Sequence, residues 1–458
     1  MIRRVDVDYL VVGAGAMGMG FTDALIDHAP QVRVALVDRR HGVGGHWLED
    51  YAFVRLHQAS SFYGVASTVL GGYRIQTGGP EAGLWERADQ PTIVSYYADV
   101  LADRMVGPGR VDHFPGCEYV GDRQFVSRIS GERYEVPERC RIVDARYLAP
   151  DIPAETPPQF AVEEGARVVP VNELVRVDEA PTQYVVVGSG KTATDACVWL
   201  LTRGVDPDAI CWVRPREPWM LNRALVVPDP VIYLPMLATL LEAATTAESL
   251  DQLFLRLEDA GIMLRIDRSV TPTMAKAPTL GQWELDLLRS IEDVVRLGRI
   301  RSARRGRLEL DEGSVRIADD AVIVNCAADG LKMPPLVPIW SPDAITLQSV
   351  RAGFPCFGAA ITGYVEATRS ADDEKNRLCP PASFGNTLSD WARMNVIGMR
   401  NVGSFSVEPD IREWSNRVAV NPARVPPDRA REPAVAEAVA RMRSATPGAV
   451  ARLAEIST

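Results

Sequence analysis

The chain has 458 residues, of which 47% are hydrophobic and 24% are charged, and its formal net charge at pH 7 is -10. These fractions are typical of a folded globular protein and exclude disordered, collagen-like and low-complexity classes. A chain of this length is expected to form about two or three domains, each with its own core. Because the negative charge repels phosphate backbones and anionic surfaces, we expect no nucleic-acid partner and no membrane partner.

The cysteines and histidines give no metal or redox pattern. The seven cysteines show no C-x-x-C spacing, which excludes a thioredoxin-type dithiol and a zinc ribbon. The five histidines form neither an H-E-x-x-H motif nor a helical pair, so no metal site is predicted. The sequence has no run of about 18 apolar residues and no apolar signal segment. It therefore favours a cytoplasmic protein with reduced, mostly buried thiols.

The first predicted unit begins with a strand at Tyr9–Val12, followed by a glycine-rich turn that contains Gly13, Gly15 and Gly18. A helical pattern through residue 25 and a strand at 32–37 complete a β-α-β unit that ends in Asp38. In G-x-G-x-x-G, the glycines permit a tight turn, the approach of a pyrophosphate and close helix packing, while the acidic residue binds ribose. This unit predicts a dinucleotide site at the positive end of a helix. Its candidate ligands are Gly13, Gly15, Ala16, Met17, Gly18, Asp38 and Arg39.

A second unit of the same kind begins about 175 residues later. It has an apolar strand at Tyr184–Val187, a glycine turn, a helical stretch through residue 201 and a strand that ends before Arg214. Arginine at this position accommodates a 2′-phosphate, so the unit predicts NADPH rather than NADH. The candidate ligands are Gly188, Ser189, Gly190, Lys191, Thr192 and Arg214.

The elements after this unit are predicted from periodicity. The pattern indicates helices over 231–297, a hairpin over 301–316 and a buried strand over 321–326. The last 30 or so residues indicate a surface helix or a frayed tail.

Residues 44–63 resemble the segment after the FAD loop in class B flavoprotein monooxygenases, which include flavin-containing, Baeyer–Villiger and N-hydroxylating monooxygenases. The matching residues are Gly44, Gly45, Trp47, Tyr51, Arg55, Leu56, Ser60 and Tyr63. Where Baeyer–Villiger enzymes have aspartate after the arginine and leucine, this chain has His57. Histidine titrates near neutral pH, so His57 is either a catalytic residue beside the isoalloxazine ring or a structural histidine.

The resemblance continues downstream. Asp195 is acidic as in flavin-containing monooxygenases, residues 324–330 resemble the strand and hinge that return to the FAD domain, and residues 357–367 resemble the last FAD-binding segment. The fingerprint F-x-G-x-x-x-H-x-x-x-(Y/W) is absent, since only Gly165 is kept and Val169 replaces its histidine. The resemblance implies the further FAD contacts Gly45, His46, Trp47, Gln58, Cys117, Ala145, Ala360 and Ile361.

The sequence therefore predicts an α/β protein with two Rossmann-like dinucleotide-binding domains. An FAD domain of residues 1–160 and 320–458 would be interrupted by an NADPH domain of residues 161–319, with a helical insertion over 231–297 that covers the cleft. The resemblance implies an NADPH-dependent FAD monooxygenase that oxygenates a small molecule with O₂ through a C4a-(hydro)peroxyflavin, with N- or S-oxygenation ahead of Baeyer–Villiger oxidation. Its catalytic candidates are His57 and Arg55. The alternatives are an NADPH-dependent flavin oxidase or dehydrogenase and a non-catalytic flavin-binding regulatory protein, each as a monomer or a homodimer.

Overall fold

The computed structural model describes residues 2–328 and 332–458. The strands, numbered in chain order, are β1 (Ile2–Arg4), β2 (Tyr9–Val12), β3 (Val34–Asp38), β4 (Val111–Pro115), β5 (Cys117–Gly121), β6 (Gln124–Ser127), β7 (Arg133–Glu135), β8 (Arg141–Asp144), β9 (Ala161–Val162), β10 (Arg167–Pro170), β11 (Tyr184–Val187), β12 (Ile210–Val213), β13 (Pro218–Asn222), β14 (Met263–Leu264), β15 (Met274–Leu280), β16 (Val294–Val295), β17 (Ile300–Arg304), β18 (Arg307–Leu310), β19 (Gly313–Arg316), β20 (Val322–Asn325) and β21 (Ile345–Thr346).

The α-helices are α1 (Ala16–His28), α2 (Gln90–Val100), α3 (Lys191–Thr202), α4 (Pro230–Thr245), α5 (Leu250–Asp259), α6 (Gln282–Leu288), α7 (Pro355–Thr368), α8 (Asp372–Leu378), α9 (Leu388–Val407), α10 (Pro409–Arg417) and α11 (Pro433–Ile456). Short 3₁₀ turns lie at Gly45–Glu49, Ser60–Phe62, Val171–Arg176 and Pro207–Ala209, and one π-turn lies at Leu101–Val106.

The first parallel sheet has the strand order β21-β8-β2-β3-β4. Its central strands β2 and β3 are almost entirely buried, as their continuous apolar sequences require for a sheet covered on both faces. Helices α1 and α7 pack against each other on this sheet, and the mixed sheet β1-β7-β6-β5, in which only β1 and β7 pair in parallel, lies beside it. Since β21 comes late in the chain, the first unit is discontinuous in sequence.

The second parallel sheet has the order β10-β20-β11-β12-β16. Its strand β20 pairs with both β10 and β11. The predicted boundary at residue 320 is therefore wrong, because β20 belongs to the second sheet and the chain leaves it only afterwards. Residues 329 and 330 of the predicted hinge lie outside the described residues.

The predicted helical insertion over 231–297 is only partly helical. Helices α4, α5 and α6 lie within it, but β15 runs through its middle and pairs in parallel with β13, while β14 pairs with the other edge of β13. The amphipathic pattern did not reveal β15 because its sequence mixes small, polar and proline residues. Helix α4 packs on α11, so the end of the chain is a docked helix rather than a frayed tail. The predicted hairpin is confirmed as β17, β18 and β19.

All seven cysteines are buried and unpaired, as the sequence predicts. In the described parts of the chain, no helix has the length and apolar character needed to cross a membrane. Residues 2–328 and 332–458 also contain no cluster of histidine, cysteine, aspartate and glutamate that could hold a metal ion.

Candidate functional site

The two glycine loops follow β2 and β11 at the carboxyl ends of the two parallel sheets. Gly13 and Gly188 both have positive φ, +107° and +136°, and Gly15 and Gly190 begin α1 and α3. A Cβ at Gly18 would overlap the carbonyl oxygen of Gly13, so the third glycine is required for helix α1 to lie against the loop. Among the described residues, no side chain caps either helix. Their first N–H groups are therefore available to phosphate oxygens, which fits a dinucleotide at each loop.

Asp38 holds the first loop through hydrogen bonds to its backbone. Its two carboxylate oxygens accept hydrogen bonds from the backbone N–H of Ala14, at 2.7 Å, and from that of Arg40, at 2.8 Å. The predicted ribose ligand thus also fixes the backbone of the first loop. Arg39, the other predicted ligand at this end, is exposed and bonds Glu155.

The segment 44–47 packs directly on the first glycine loop. The N–H of Gly44 donates to the carbonyl of Ala14 at 2.9 Å, and a Cβ on Gly45 would lie 2.9 Å from the Cα of Gly15. Trp47 follows, with its indole N–H donating to the hydroxyl of Tyr63 at 2.7 Å. Paired glycines are therefore needed here because two backbones meet.

One cavity of about 880 Å³ joins the second glycine loop to the segment 46–59. It extends to the N-terminal end of α7, where the side-chain amide of Gln58 donates to the carbonyl of Gly353 at 3.2 Å. The predicted site residues in its wall are His46, Trp47, His57, Gln58, Gly188, Ser189, Gly190, Lys191 and Thr192. Residues predicted from two motifs about 140 positions apart thus share one wall. The predicted FAD ligands that lie outside this wall are Gly13, Gly15, Ala16, Met17, Gly18 and Gly45.

Several predicted contacts lie elsewhere. Arg55 is exposed and is not part of the described cavity wall, so its prediction as a catalytic residue is not supported by its position. Ala360 and Ile361 are completely buried in the second turn of α7, which packs on α1, and no surface of either is open to a ligand. The prediction for these two residues is wrong because only the start of α7 faces the cavity.

Cys117 and Ala145 have different positions relative to the first loop. Cys117 is 5% exposed in the core between β5 and the first sheet, away from the glycine turn. Ala145 directly follows β8, donates its N–H to the carbonyl of Val12, and lies about 3.5 Å from the position of a Cβ on Gly13. Ala145 therefore lies beside the first loop, and its contact with FAD stays a prediction.

Arg214 cannot be the phosphate ligand that the sequence predicts. Its guanidinium pairs with Glu217 at 2.9 Å and lies over the ring of Trp212, 4.3 Å from the ring centre, with 2% of the side chain exposed. Burial lowers the pKa of Arg214, partly offset by the neighbouring Glu217. This arginine is part of the core of the second unit.

Two arginines that were not predicted from the sequence, Arg216 and Arg299, line the cavity instead of Arg214. Arg216 lies two residues further on, with its N–H directed to Ser189 Oγ at 3.4 Å and its guanidinium bonded to Asn386 Oδ1 at 3.2 Å. Arg299, which precedes β17, lines the same cavity. Burial lowers the pKa of Arg216, and the positive charge of Arg299 lowers it further. The signal that could have found Arg216 is the R-P-R sequence after β12, which offers a second arginine two residues beyond Arg214.

The described cavity wall contains no aspartate or glutamate. It carries Lys191, Arg216, Arg299, Arg301 and two histidines, in a chain whose net charge is -10. A wall with this charge attracts an anionic ligand.

Lys191 is held in a buried network of charges behind the cavity. Its ammonium bonds Asp195 and lies 3.4 Å from Glu284. The network also contains Arg87, Arg223 and Glu81, which gives three cations and three carboxylates. Because Lys191 is 5% exposed and neutralised there, it orders the loop rather than offering a free charge to a phosphate.

His57 lies in front of this network. The hydroxyl of Thr279 in β15 donates to its carbonyl. Burial, together with the positive charges of Lys191 and Arg87, lowers the pKa of His57 to about 3. The expectation that this imidazole titrates near neutral pH is therefore wrong: it stays neutral.

No protein-family model matches the chain. The chain is 40% identical over 422 residues to the uncharacterized protein Rv2000 of Mycobacterium tuberculosis, a match that covers 92% of this chain and 78% of the relative. The uncharacterized protein Mb2023 of Mycobacterium bovis matches with the same figures. In a solved structure, cyclohexanone monooxygenase from Rhodococcus sp. Phi1 bound to NADP⁺ is similar with a TM-score of 0.50 and 14% identity, covering 82% of this chain and 89% of that chain. At this identity the likeness shows the fold, an α/β architecture with two Rossmann-like domains.

Proposed function

We propose that this chain, which belongs to the same protein family as Rv2000 of Mycobacterium tuberculosis, is an NADPH-dependent flavoprotein monooxygenase that acts on a small molecule. The observation that carries the proposal is the single cavity that brings the second glycine loop together with His57, Gln58 and the start of α7. A nicotinamide bound from the loop and a flavin ring beside α7 would meet in that space.

FAD would be held by the first unit. The uncapped N–H groups of α1 would bind its pyrophosphate and Asp38 would bind the ribose. The Gly44–Gly45 pair, packed on the first loop, would hold Trp47 near the ring system. When bound, FAD supplies hydride acceptance and oxygen activation. The N-terminus of α7 begins at Pro355 in the cavity wall, where its dipole would stabilise negative charge.

NADPH would be held by the second unit. Its pyrophosphate would meet the uncapped end of α3, and its 2′-phosphate would meet Arg216 and Arg299. A 2′-phosphate carries up to two negative charges, and these two arginines stand in a wall without described carboxylates. This pairing supports NADPH over NADH.

The chain's side chains orient the reactants and exclude water. Trp47, Tyr63 and Phe384 give the cavity apolar surfaces, and Gln58 is fixed by its bond to Gly353. A neutral His57 replaces the aspartate of Baeyer–Villiger enzymes, so it offers no negative charge beside the ring. This favours oxygenation at nitrogen or sulfur over insertion next to a carbonyl.

The test is to purify the protein, record its visible spectrum and add NADPH or NADH without oxygen. We expect a yellow protein that is bleached more readily by NADPH. Turnover under ¹⁸O₂ with a tertiary amine, a thioether and a cyclic ketone as probes should then place label in the amine or thioether product. Label in the ketone-derived product alone would contradict the preference for heteroatoms.

Two other outcomes would replace the proposal. Quantitative hydrogen peroxide with no labelled product for any probe would make the protein an NADPH oxidase. A bound flavin that stays oxidised for hours in NADPH would make it a flavin-binding regulatory protein. A protein that binds no flavin would contradict every step from Gly13 to Trp47.

A further inference from the structure

A histidine in the cavity wall is paired with an aspartate behind the wall. His46 Nε2 lies 3.5 Å from Asp50 Oδ2, at opposite ends of the 3₁₀ turn Gly45–Glu49. The side chain of His46 is 29% exposed and borders the cavity, whereas that of Asp50 is 11% exposed. The pair therefore has one end in the reaction space and the other end almost buried behind it.

The surroundings of Asp50 favour its protonated form near neutral pH. Burial and the neighbouring carboxylate of Asp195 raise the pKa of Asp50 to about 7. Asp195 pairs with Lys191 and accepts a hydrogen bond from the hydroxyl of Tyr51 at 2.9 Å. Burial and the charge of Arg40 lower the pKa of His46 to about 4. Between about pH 4 and pH 7 the pair therefore holds one exchangeable proton. The pair loses this proton as the pH rises through about 7.

The other charged or titratable groups that face the pair do not compete for this proton. Arg40 is itself paired with Glu49 at 2.9 Å and with Glu155 at 2.8 Å, which compensates its charge. His57, across the cavity wall, stays neutral under the influence of burial and Lys191. The proton that Asp50 holds near neutral pH is thus shared only with His46, the member of the pair that borders the described cavity.

The reaction of the proposed function needs one proton. Oxidation of NADPH with O₂ consumes one proton per turnover, whether the second oxygen atom leaves as water or both leave as hydrogen peroxide. That proton has to enter a cavity whose described wall contains no carboxylate. A group that exchanges protons at the operating pH is best suited to deliver it.

We propose that His46 transfers this proton into the cavity and that Asp50 supplies and positions it. In this step the imidazole gives one proton to the departing reduced oxygen and takes one from the Asp50 carboxyl group, and the resulting carboxylate is reprotonated from solvent. No oxidant or reductant is consumed by the pair. The inference rests on the proposed function for the destination of the proton, while the pair itself is a property of the protein without cofactor.

The first test follows the imidazole directly. Nitrogen-15 spectra of the five histidine side chains, titrated from pH 5 to 9, should show His46 responding with a midpoint near 7. Asp50→Asn should abolish that response, and His46→Gln should remove the signal and so assign it. A His46 signal that does not change over this range, or that changes equally in Asp50→Asn, would overturn the proposal.

The second test uses turnover. Both variants should slow NADPH oxidation by about 100-fold at pH 6, where Asp50 holds its proton, with little change in KM for NADPH. Asp50→Asn should also flatten the pH profile near 7. His41→Gln, which changes an exposed histidine outside the cavity wall, is the matched control. Near-UV circular dichroism identifies a variant that has not folded, in which case the titration of the wild-type imidazole decides.

The two proposals fail in different ways. A protein that shows the His46 titration but binds no flavin keeps the pair and loses the proposed function. A flavoprotein that NADPH reduces, but whose His46 does not titrate near 7, keeps the function and loses the pair.

Discussion

Arg214 and Glu217 form a buried ion pair three residues apart, with Nε 2.9 Å from Oε1 and no more than 2% of either side chain exposed. Arg296 pairs with the same carboxylate at 2.9 Å from a more exposed position. The arginine that follows the second Rossmann strand is therefore held in the core of the domain, and under the proposed function we expect cofactor choice to depend on Arg216 instead.

Substituting these two arginines should separate stability from cofactor binding. Arg214→Ala leaves the carboxylate of Glu217 buried with a weaker partner, which is expected to lower the free energy of unfolding by about 3–5 kcal/mol. Arg216→Ala should leave unfolding nearly unchanged but raise the Kd for NADPH by roughly tenfold or more, with little effect on NADH. Urea unfolding and cofactor titration measure the two effects. A loss of NADPH preference in Arg214→Ala at unchanged stability would restore the sequence prediction.

Gly18 and Gly20 should respond oppositely to alanine. A Cβ at position 18 would overlap the carbonyl oxygen of Gly13, so Gly18→Ala is expected to displace the first loop and abolish FAD binding. A Cβ at position 20 would lie 3.4 Å from Ala359 Cβ, an ordinary contact, and alanine is the better helix former. Visible spectra of the purified variants measure bound flavin. Equal flavin content in both would show that the first loop does not hold the cofactor.

The glycine loops could be predicted from sequence because each needs only local geometry: a strand, a turn with positive φ and a helix start. The roles of Arg214 and Arg216 could not, since they depend on which way each side chain turns after β12, and that is decided by the buried partner Glu217. The strand β15 was missed because it exists through its pairing with β13 across 50 residues of chain, not through its own pattern. The lowered pKa of His57 likewise follows from its burial and from Lys191 and Arg87, which belong to distant segments.

Removal of Glu284 should destabilise the protein far more than removal of a surface carboxylate. Burial alone would raise its pKa, but Lys191, Arg223 and Arg87 lower it to about 2. Glu284→Gln would leave these cations short of one negative charge in a site where the Glu284 side chain is 2% exposed, at an expected cost of about 3–5 kcal/mol.

The matched control for that substitution is Glu413→Gln. Glu413 pairs with Arg417 at 3.1 Å on the surface of α10, with 72% of its side chain exposed, so about 0.5 kcal/mol or less is expected. Urea unfolding at pH 7 compares the two. Similar losses in both variants would mean that the buried network adds no more than a surface ion pair.

The stability of the protein should fall on acidification in part because of His57. Its folded-state pKa of about 3 lies below the usual value of 6.5, so between these values the unfolded chain binds a proton that the folded chain excludes. The stability that comes from the neutral imidazole is complete above pH 6.5 and is lost as the pH falls toward 3. Relative to the wild type, His57→Gln should therefore gain about 1–2 kcal/mol in unfolding free energy between pH 7 and pH 5. Denaturant unfolding at a series of pH values measures this difference, with His41→Gln, an exposed histidine, as the control that should show none. A difference between His57→Gln and wild type that stays constant with pH would mean that His57 has the same pKa in the folded and unfolded states, and it would then titrate near neutral pH in the cavity.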